Sequence, residues 1–131
     1  MGLVQTQITL SNPKEPDLAS IEVEALVDTG AVHLCIPRTV VFQLGLDELE
    51  KREVDLADGS KQLVPYVGPI KTSFGRRSCY TGAMVMGDGV LLGAIPMEDM
   101  DLVVRPSTRD VVANPKSPNI PASVAMGVRH R

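Results

Sequence analysis

One segment, Ala25 to Ala31, limits the possible folds more than any other, because it sets a single carboxylate between two apolar runs. The segment reads Ala-Leu-Val-Asp-Thr-Gly-Ala, and a second apolar run continues to Ile36. Asp is disfavoured in β-strands, and burying it as an anion is costly. A carboxylate in such surroundings tends to be protonated, paired with a charge or catalytic. Asp28 is therefore the leading candidate for a functional residue.

Asp-Thr-Gly also occurs as an ordinary turn, since Asp side chains bond to nearby backbone groups and Gly tolerates positive φ. On that reading Asp28 caps a turn in a small β domain of unrelated function. A second segment, Val90-Leu91-Leu92-Gly93, follows further along the chain. In this order, the two segments resemble the signatures of the retropepsin-like aspartic proteases: the Asp-Thr-Gly active-site loop, and an apolar-apolar-Gly element that crosses beside it. The resemblance favours a catalytic Asp28 over a turn cap.

The resemblance implies an all-β fold: a small, closed, β-barrel-like half of an acid protease, with one or two short helices and a flap hairpin. It implies a protease domain over residues 1–113. From residue 114 onward the chain is rich in Pro, Ser and Asn and shows no sustained periodicity. Such composition predicts that residues 114–131 form a mostly unstructured tail, which can dock on a partner subunit.

The implied activity is that of an aspartic endopeptidase, a hydrolase that uses two carboxylates to activate water. A chain of 131 residues has the size of one domain, and it carries one Asp-Thr-Gly. Single-chain proteases of the pepsin type carry two such loops, so a second copy of this chain must supply the second aspartate. We therefore expect a homodimer that acts on a polypeptide substrate. The alternative is a retropepsin fold that serves as a non-catalytic dimerisation or peptide-binding module.

The family pattern also assigns roles to individual residues. Asp28 is the catalytic carboxylate, Thr29 bonds across the dimer to the opposite loop, and the Gly30 N–H bonds to the carboxylate. The residues implied to line the substrate cleft are Ala31, Val32, Cys35, Leu92 and the flap residues Leu56 to Ser60, among them Ala57, Asp58 and Gly59. Their character predicts a preference for apolar side chains on either side of the cut.

Local sequence predicts a hairpin around Asp58-Gly59, and the resemblance implies that this hairpin is the flap. Asp58-Gly59 stands between two extended segments, and this dipeptide favours a tight hairpin in which both residues have positive φ. Local sequence alone favours an ordinary surface hairpin. The position of this hairpin after the Asp28 loop decides for the flap, because that is where the family keeps a lid over the substrate.

Two positions depart from the retroviral pattern. Viral members commonly carry an Asp soon after Asp-Thr-Gly-Ala and an Arg after the second signature, and the two form an ion pair near the dimer interface. Here these positions hold Val32 and Ala94. Both partners are missing together, so no unpaired buried charge is left behind. This departure indicates a cellular, prokaryotic type of enzyme whose dimer is stabilised elsewhere.

Composition argues against several other classes of function. The net charge is -3 and there is no basic run, which gives no support for nucleic-acid binding. No apolar stretch approaches the roughly 20 residues of a membrane span, and the start lacks a secretory pattern. We therefore expect a cytoplasmic protein with no membrane contact. Cys35 and Cys79 are expected to be free thiols, and neither His33 nor His130 has partners at metal-ligand spacing, so we expect no metal and no cofactor.

Periodicity predicts the remaining local structure. Val4 to Leu10 and Ala19 to Val27 alternate between polar and apolar residues, which predicts a hairpin of half-buried strands. Thr39 to Leu44 is predicted to be a short helix that Gly45 ends. Leu46 to Arg52 is polar and acidic and is expected to be a solvated connection. Further strands are predicted over 32–36, 70–74, 78–86, 101–105 and 110–113, and a second short helix over 94–100.

Overall fold

The computed structural model describes residues 3–125, which form nine strands and two helices. The strands are β1 (Val4–Ser11), β2 (Ile21–Val27), β3 (Leu34–Ile36), β4 (Asp47–Asp55), β5 (Lys61–Phe74), β6 (Arg77–Val85), β7 (Val90–Leu92), β8 (Leu102–Arg105) and β9 (Asp110–Ala113). The helices are α1 (Arg38–Leu44) and α2 (Ala94–Asp99). Neither of these described helices is long and apolar enough to cross a membrane.

Six strands close into a barrel in the order β1, β2, β7, β3, β6 and β5, because β5 pairs back onto β1. Alternate side chains of each strand point into the barrel, where they form one apolar core. The largest fully buried members include Ile8, Leu10, Leu34, Ile36, Ile70 and Leu92. The predicted small, closed all-β fold with two short helices is confirmed.

The first part of the barrel follows the sequence pattern closely. Strands β1 and β2 form the predicted antiparallel hairpin, with Ile8 opposite Val23. Helix α1 ends at Gly45, whose φ of 58° lies in the left-handed region that glycine adopts without strain.

The prediction of a solvated connection over Leu46 to Arg52 is wrong. Leu46 is buried, and Asp47 to Asp55 form β4, a nine-residue strand. Its charged sequence is compatible with a strand because β4 lies outside the closed barrel and pairs, among the described residues, with β5 alone. Charged residues are typical of such an edge, since they discourage pairing with other chains.

The strand predicted over residues 70–74 begins earlier than expected, before Gly68 and Pro69. Strand β5 runs continuously through both residues, and its register with β6 shifts between Val67 and Ile70. A proline has no N–H to donate, so a bulge is one of the few places in a sheet that accommodates it.

The last elements pack against the barrel, and their residues Leu102 and Val111 belong to the same apolar core. Strands β8 and β9 form the predicted hairpin. Residues 114–125 contain no helix or strand, yet Asp101 accepts hydrogen bonds from Ser117 Oγ and from the Ala122 N–H, which hold this segment in place. The domain boundary after residue 113 stays a prediction, and residues 126–131 of the predicted tail, His130 included, lie outside the described residues.

Candidate active site

Asp28 follows directly after β2, at the point where the two sequence signatures meet. Strand β2 runs parallel to β7, with Val27 opposite Leu92, and the Asp28 N–H donates to the Leu92 carbonyl at 3.1 Å. Backbone pairing therefore brings together two segments that are far apart in the chain, as the resemblance implies.

Gly93 allows the two segments to come this close. A Cβ at this position would lie 2.4 Å from the His33 carbonyl oxygen, which is closer than real Cβ contacts come. Immediately after it, the Ala94 and Ile95 N–H groups donate to the Ala31 and Val32 carbonyls, each at 2.8 Å. The start of α2 thus braces the Asp28 loop through backbone hydrogen bonds.

The Asp28 carboxylate is exposed, as are Thr29 and Gly30. The Gly30 N–H donates to Asp28 Oδ1 at 2.9 Å, and the Ala31 N–H donates to the Asp28 carbonyl at 3.1 Å. These bonds fix the turn while the carboxylate stays open to solvent. A carboxylate held in this way can accept a proton from a bound water or bond to a second carboxylate.

A cleft of about 660 Å³ begins at Asp28. Of the residues named from the sequence, it is lined by Asp28, Gly30, Ala31, Val32, Cys35, Leu56 and Ala57. One wall is the loop that carries Asp28, and the other is the end of β4 with the following turn, residues 53–57. The volume and the apolar walls are typical of a ligand site.

The prediction that Leu92 lines the cleft is wrong. Leu92 is 0% exposed and belongs to the barrel core, whereas its neighbour Leu91 lines the cleft. Successive strand residues point to opposite faces, so an assignment that is off by one residue exchanges the cleft for the core.

The hairpin tip also differs from the prediction. Asp58 and Gly59 are exposed at the tip and are not among the residues that line the cleft. Gly59 has a φ of 87°, but Asp58 does not share a positive φ. The Gly59 N–H donates to the Leu56 carbonyl, which makes a turn of the kind found in three-residue hairpin loops instead of a two-residue one.

A row of side chains forms the cleft floor, and of this row sequence reasoning named Cys35 and missed the other members. Cys35 pairs with Leu91 on one side and with Met84 on the other, and all three line the cleft. His33 and Met86, each two residues from a member of this row, line it as well. The period of two along a strand is the signal that points to His33 once Cys35 is placed.

The surroundings of two ionisable groups of the cleft favour their neutral forms. Burial, and secondarily the charge of Asp28, raises the pKa of the Cys35 thiol. Burial, and secondarily the charge of Arg52, lowers the pKa of His33. Both thiols, Cys35 and Cys79, are free. A raised pKa favours the protonated thiol of Cys35, which is a poor nucleophile.

Within the described part of the chain, no three His, Cys, Asp or Glu side chains are grouped so that they could hold a metal ion.

A second, smaller groove of about 400 Å³ lies on the other side of Asp28. Its walls come from β1, β2 and β8, and its lining residues are Leu3, Val4, Leu26, Val27, Asp28, Thr29 and Val104. Asp28 thus stands between two concave surfaces, the larger cleft and this smaller groove.

Comparison with known proteins gives one family. A search of curated proteins found no match. Residues 17–120 match the model of a family described as aspartyl protease, and this match covers most of the 131-residue chain, including both signatures. Together with the closed barrel and the exposed Asp-Thr-Gly loop beside β7, this match makes the chain a member of the retropepsin-like aspartyl protease family.

Proposed function

We propose that this protein is a homodimeric aspartic endopeptidase in which each copy contributes Asp28 to one shared active site. The observation that carries the proposal is the position of Asp28: an exposed carboxylate in a braced turn, between a peptide-sized cleft and an apolar groove. Membership in the aspartyl protease family supports a proteolytic role. We also propose a cytoplasmic location, because free thiols such as Cys35 and Cys79 are typical of reducing compartments.

The chemistry follows from bringing two carboxyl groups to about 3 Å from each other, since two like charges that close cannot both ionise. The two Asp28 side chains share one proton. The charged one accepts a proton from a bound water as the water oxygen attacks the peptide carbonyl carbon. The protonated one donates to the carbonyl oxygen, which becomes the oxyanion of a tetrahedral intermediate. That intermediate collapses with breakage of the C–N bond, and the leaving nitrogen takes a proton from the pair.

The groove beside Asp28 is the face on which we propose the second copy docks. Leu3 is 75% exposed at its edge, and Val27 and Val104 are partly exposed within it. Thr29 lines the same groove, which is where a hydroxyl must lie to bond to the opposite loop. Because Val32 and Ala94 replace the viral ion pair, apolar contact on this face is the source of dimer stability that we propose.

We propose that the β4–β5 hairpin acts as the flap. Residues 53–57 already form one wall of the cleft, and the exposed tip at Asp58-Gly59 extends beyond it. A peptide in the cleft would contact the floor row of Leu91, Cys35 and Met84, which favours apolar side chains near the cut.

The test of the activity compares wild-type protein with Asp28→Asn on a library of apolar peptides between about pH 4 and 7. The substitution keeps the shape of the side chain but removes the carboxylate. We expect the rate of peptide cleavage to fall by at least about a thousandfold. Equal cleavage by both proteins would overturn the proposal. A wild-type dimer that binds these peptides without cleaving them would instead support the non-catalytic peptide-binding module.

The test of the docking face is Val104→Glu, which places a charge in the groove. We expect the dissociation constant of the dimer, measured by analytical ultracentrifugation, to rise at least about tenfold. Phe42→Glu is the matched control, because Phe42 is 89% exposed on α1 and lies outside the groove. If Val104→Glu dimerises as tightly as this control, the second copy docks elsewhere.

A further inference from the structure

The two walls of the cleft differ in the backbone hydrogen bonds that hold them. The Asp28 loop is braced by β7 and by the start of α2. The opposite wall, residues 53–57, belongs to β4, which lies outside the closed barrel and pairs, within residues 3–125, with β5 alone. No strand pairing within residues 3–125 joins the two walls directly, so contacts between side chains must fix the distance between them.

Three side chains connect these walls, and we call them the aromatic bridge: Arg52, Tyr66 and His33. The Arg52 guanidinium lies 3.8 Å above the centre of the Tyr66 ring. The Tyr66 and His33 rings pack edge to face, with ring centroids 5.7 Å apart and an interplanar angle of 70°. Arg52 directly precedes the β4 wall, Tyr66 lies on β5, and His33 is part of the Asp28 wall. The bridge thus runs from one wall of the cleft to the other.

The position of the central ring is fixed from below by Gly82 of β6. A Cβ on Gly82 would lie 2.2 Å from the Tyr66 ring, so the ring occupies the space that any other residue would fill. The Tyr66 ring is held between this glycine, the Arg52 guanidinium and the His33 ring. Cation–π and edge-to-face contacts both depend strongly on the orientation of the ring, and these three neighbours fix that orientation.

We propose that Tyr66 is a positioning residue that fixes the β4 wall relative to the Asp28 loop and so sets how tightly the cleft binds a peptide. Tyr66 does not itself line the cleft, so its effect is transmitted through His33 on one side and Arg52 on the other. The consequence for catalysis depends on the proposed peptidase function. The consequence for the hairpin does not.

The kinetic test compares Tyr66→Leu, which removes the ring, with Tyr66→Phe, which keeps it. For Tyr66→Leu we expect KM to rise about fivefold while kcat stays within about twofold of wild type. Tyr66→Phe is expected to restore both constants to within about twofold. Tyr80→Leu is the matched control, because Tyr80 also carries a cation over its ring, Lys71 at 5.7 Å, but lies outside the cleft.

The second readout is hydrogen exchange of the backbone amides in residues 53–63, which needs no activity. We expect these amides to exchange about tenfold faster in Tyr66→Leu, and at the wild-type rate in Tyr66→Phe and Tyr80→Leu. If Tyr66→Leu is unfolded by circular dichroism, Arg52→Gln takes its place, since it removes the cation and keeps the ring.

The outcomes separate this proposal from the proposed function. Unchanged exchange in residues 53–63 of the folded variant would overturn the role of Tyr66, whatever the activity. If the amides of Tyr66→Leu exchange faster but the wild-type protein cleaves no peptide, the role of the aromatic bridge is supported and the proposed peptidase activity is contradicted. Faster exchange together with a lower kcat and an unchanged KM would overturn the claim that the bridge acts through peptide binding.

Discussion

Asp28 and Asp101 are two carboxylates that lie at opposite ends of α2 and have opposite surroundings. Within residues 3–125, the exposed Asp28 carboxylate accepts a hydrogen bond from the Gly30 N–H. The Asp101 carboxylate accepts hydrogen bonds from Asn114, Ser117 and Ala122, and its side chain is 15% exposed. It also forms an ion pair with Arg77, at 3.7 Å.

The difference shows how one chain separates structure from chemistry. Hydrogen bonds from Ser117, Ala122 and Asn114, and the charge of Arg77, lower the pKa of Asp101 to about 2. That carboxylate is a fixed anion, and its bonding capacity is used to join α2 to the segment after β9. Among residues 3–125, Asp28 keeps most of its bonding capacity free, as the proposed catalytic role requires. The two sites should therefore respond oppositely to substitution.

The largest effect on stability is expected at Arg77, the buried partner of Asp101. Arg77 is 6% exposed and donates to the Met100, Asp101 and Ser117 carbonyls. Arg77→Met leaves these acceptors and the Asp101 carboxylate without their cation, so Tm should fall by about 5 to 10 °C.

Peptide cleavage by Arg77→Met should stay close to wild type at temperatures below its melting transition. The control is Arg76→Met, which changes an exposed neighbouring arginine and should leave Tm within about 1 °C. We call Asp101 and its partners Arg77, Asn114, Ser117 and Ala122 the Asp101 cluster. If the two variants have the same Tm in calorimetry, the Asp101 cluster does not stabilise the fold.

The next largest effect is a dependence of fold stability on pH, which arises from the Asp101 carboxylate. Its pKa is about 2 in the folded chain against an ordinary value of 3.8. The stabilisation is thus fully present above about pH 4 and is lost as the pH falls from about 4 to 2. Asp101→Asn lacks this contribution, and Asn tolerates the left-handed φ of 54° found at this position.

Thermal melts at pH 6, 4, 3 and 2 measure this contribution as the difference in Tm between wild type and Asp101→Asn. We expect wild type to be more stable at pH 6 and the difference to shrink steadily below about pH 4. A difference that stays constant down to pH 2 would show that the carboxylate is not linked to folding.

A smaller effect is expected at Asp110, on the tip of the β8–β9 hairpin. Hydrogen bonds from Arg105 and Thr108 lower the pKa of Asp110 to about 2 as well, but its side chain is 42% exposed. Solvent screens such a pair, so Asp110→Asn should change Tm by no more than about 2 °C at pH 6. If Asp110→Asn lowers Tm as much as Arg77→Met does, the exposed Asp110 pair contributes as much to stability as the buried Asp101 pair, and the distinction between them fails.

The smallest change in stability is expected at Asp28 itself. Asp28→Asn keeps an oxygen that can accept from the Gly30 N–H, and the side chain is exposed. We expect Tm to change by about 1 °C or less, in calorimetry of the same protein whose cleavage activity is lost. A large drop in Tm would show that the Asp28 carboxylate stabilises the fold, as the Asp101 carboxylate does.

The Asp28 loop could be predicted because its signal is local. An aspartate in an apolar run and a glycine after Leu92 are visible in the sequence itself, and each has a direct physical reason. The floor of the cleft could not be predicted in the same way. Cys35 meets Leu91 and Met84 through one antiparallel and one parallel pairing, and single-sequence periodicity does not fix such register.

Two further features were hidden for related reasons. The charged residues of β4 contradict strand propensity, so the sequence predicts a connection over Leu46 to Arg52. The exposed edge position of β4 overrides that propensity. The Asp101 cluster joins residues from β6, from the end of α2 and from the segment after β9. No local pattern marks such a cluster, since its members come together only through tertiary packing.

The most direct test of the central claim is a mixing experiment with wild-type and Asp28→Asn subunits. The proteins are combined in equal amounts, exchanged to equilibrium at fixed total concentration, and assayed for peptide cleavage. If each active site needs Asp28 from both copies, activity falls to about one quarter of the pure wild type, because random pairing makes about a quarter of the dimers fully wild type. Activity of about one half would show that each copy acts with its own Asp28, and would contradict the shared site.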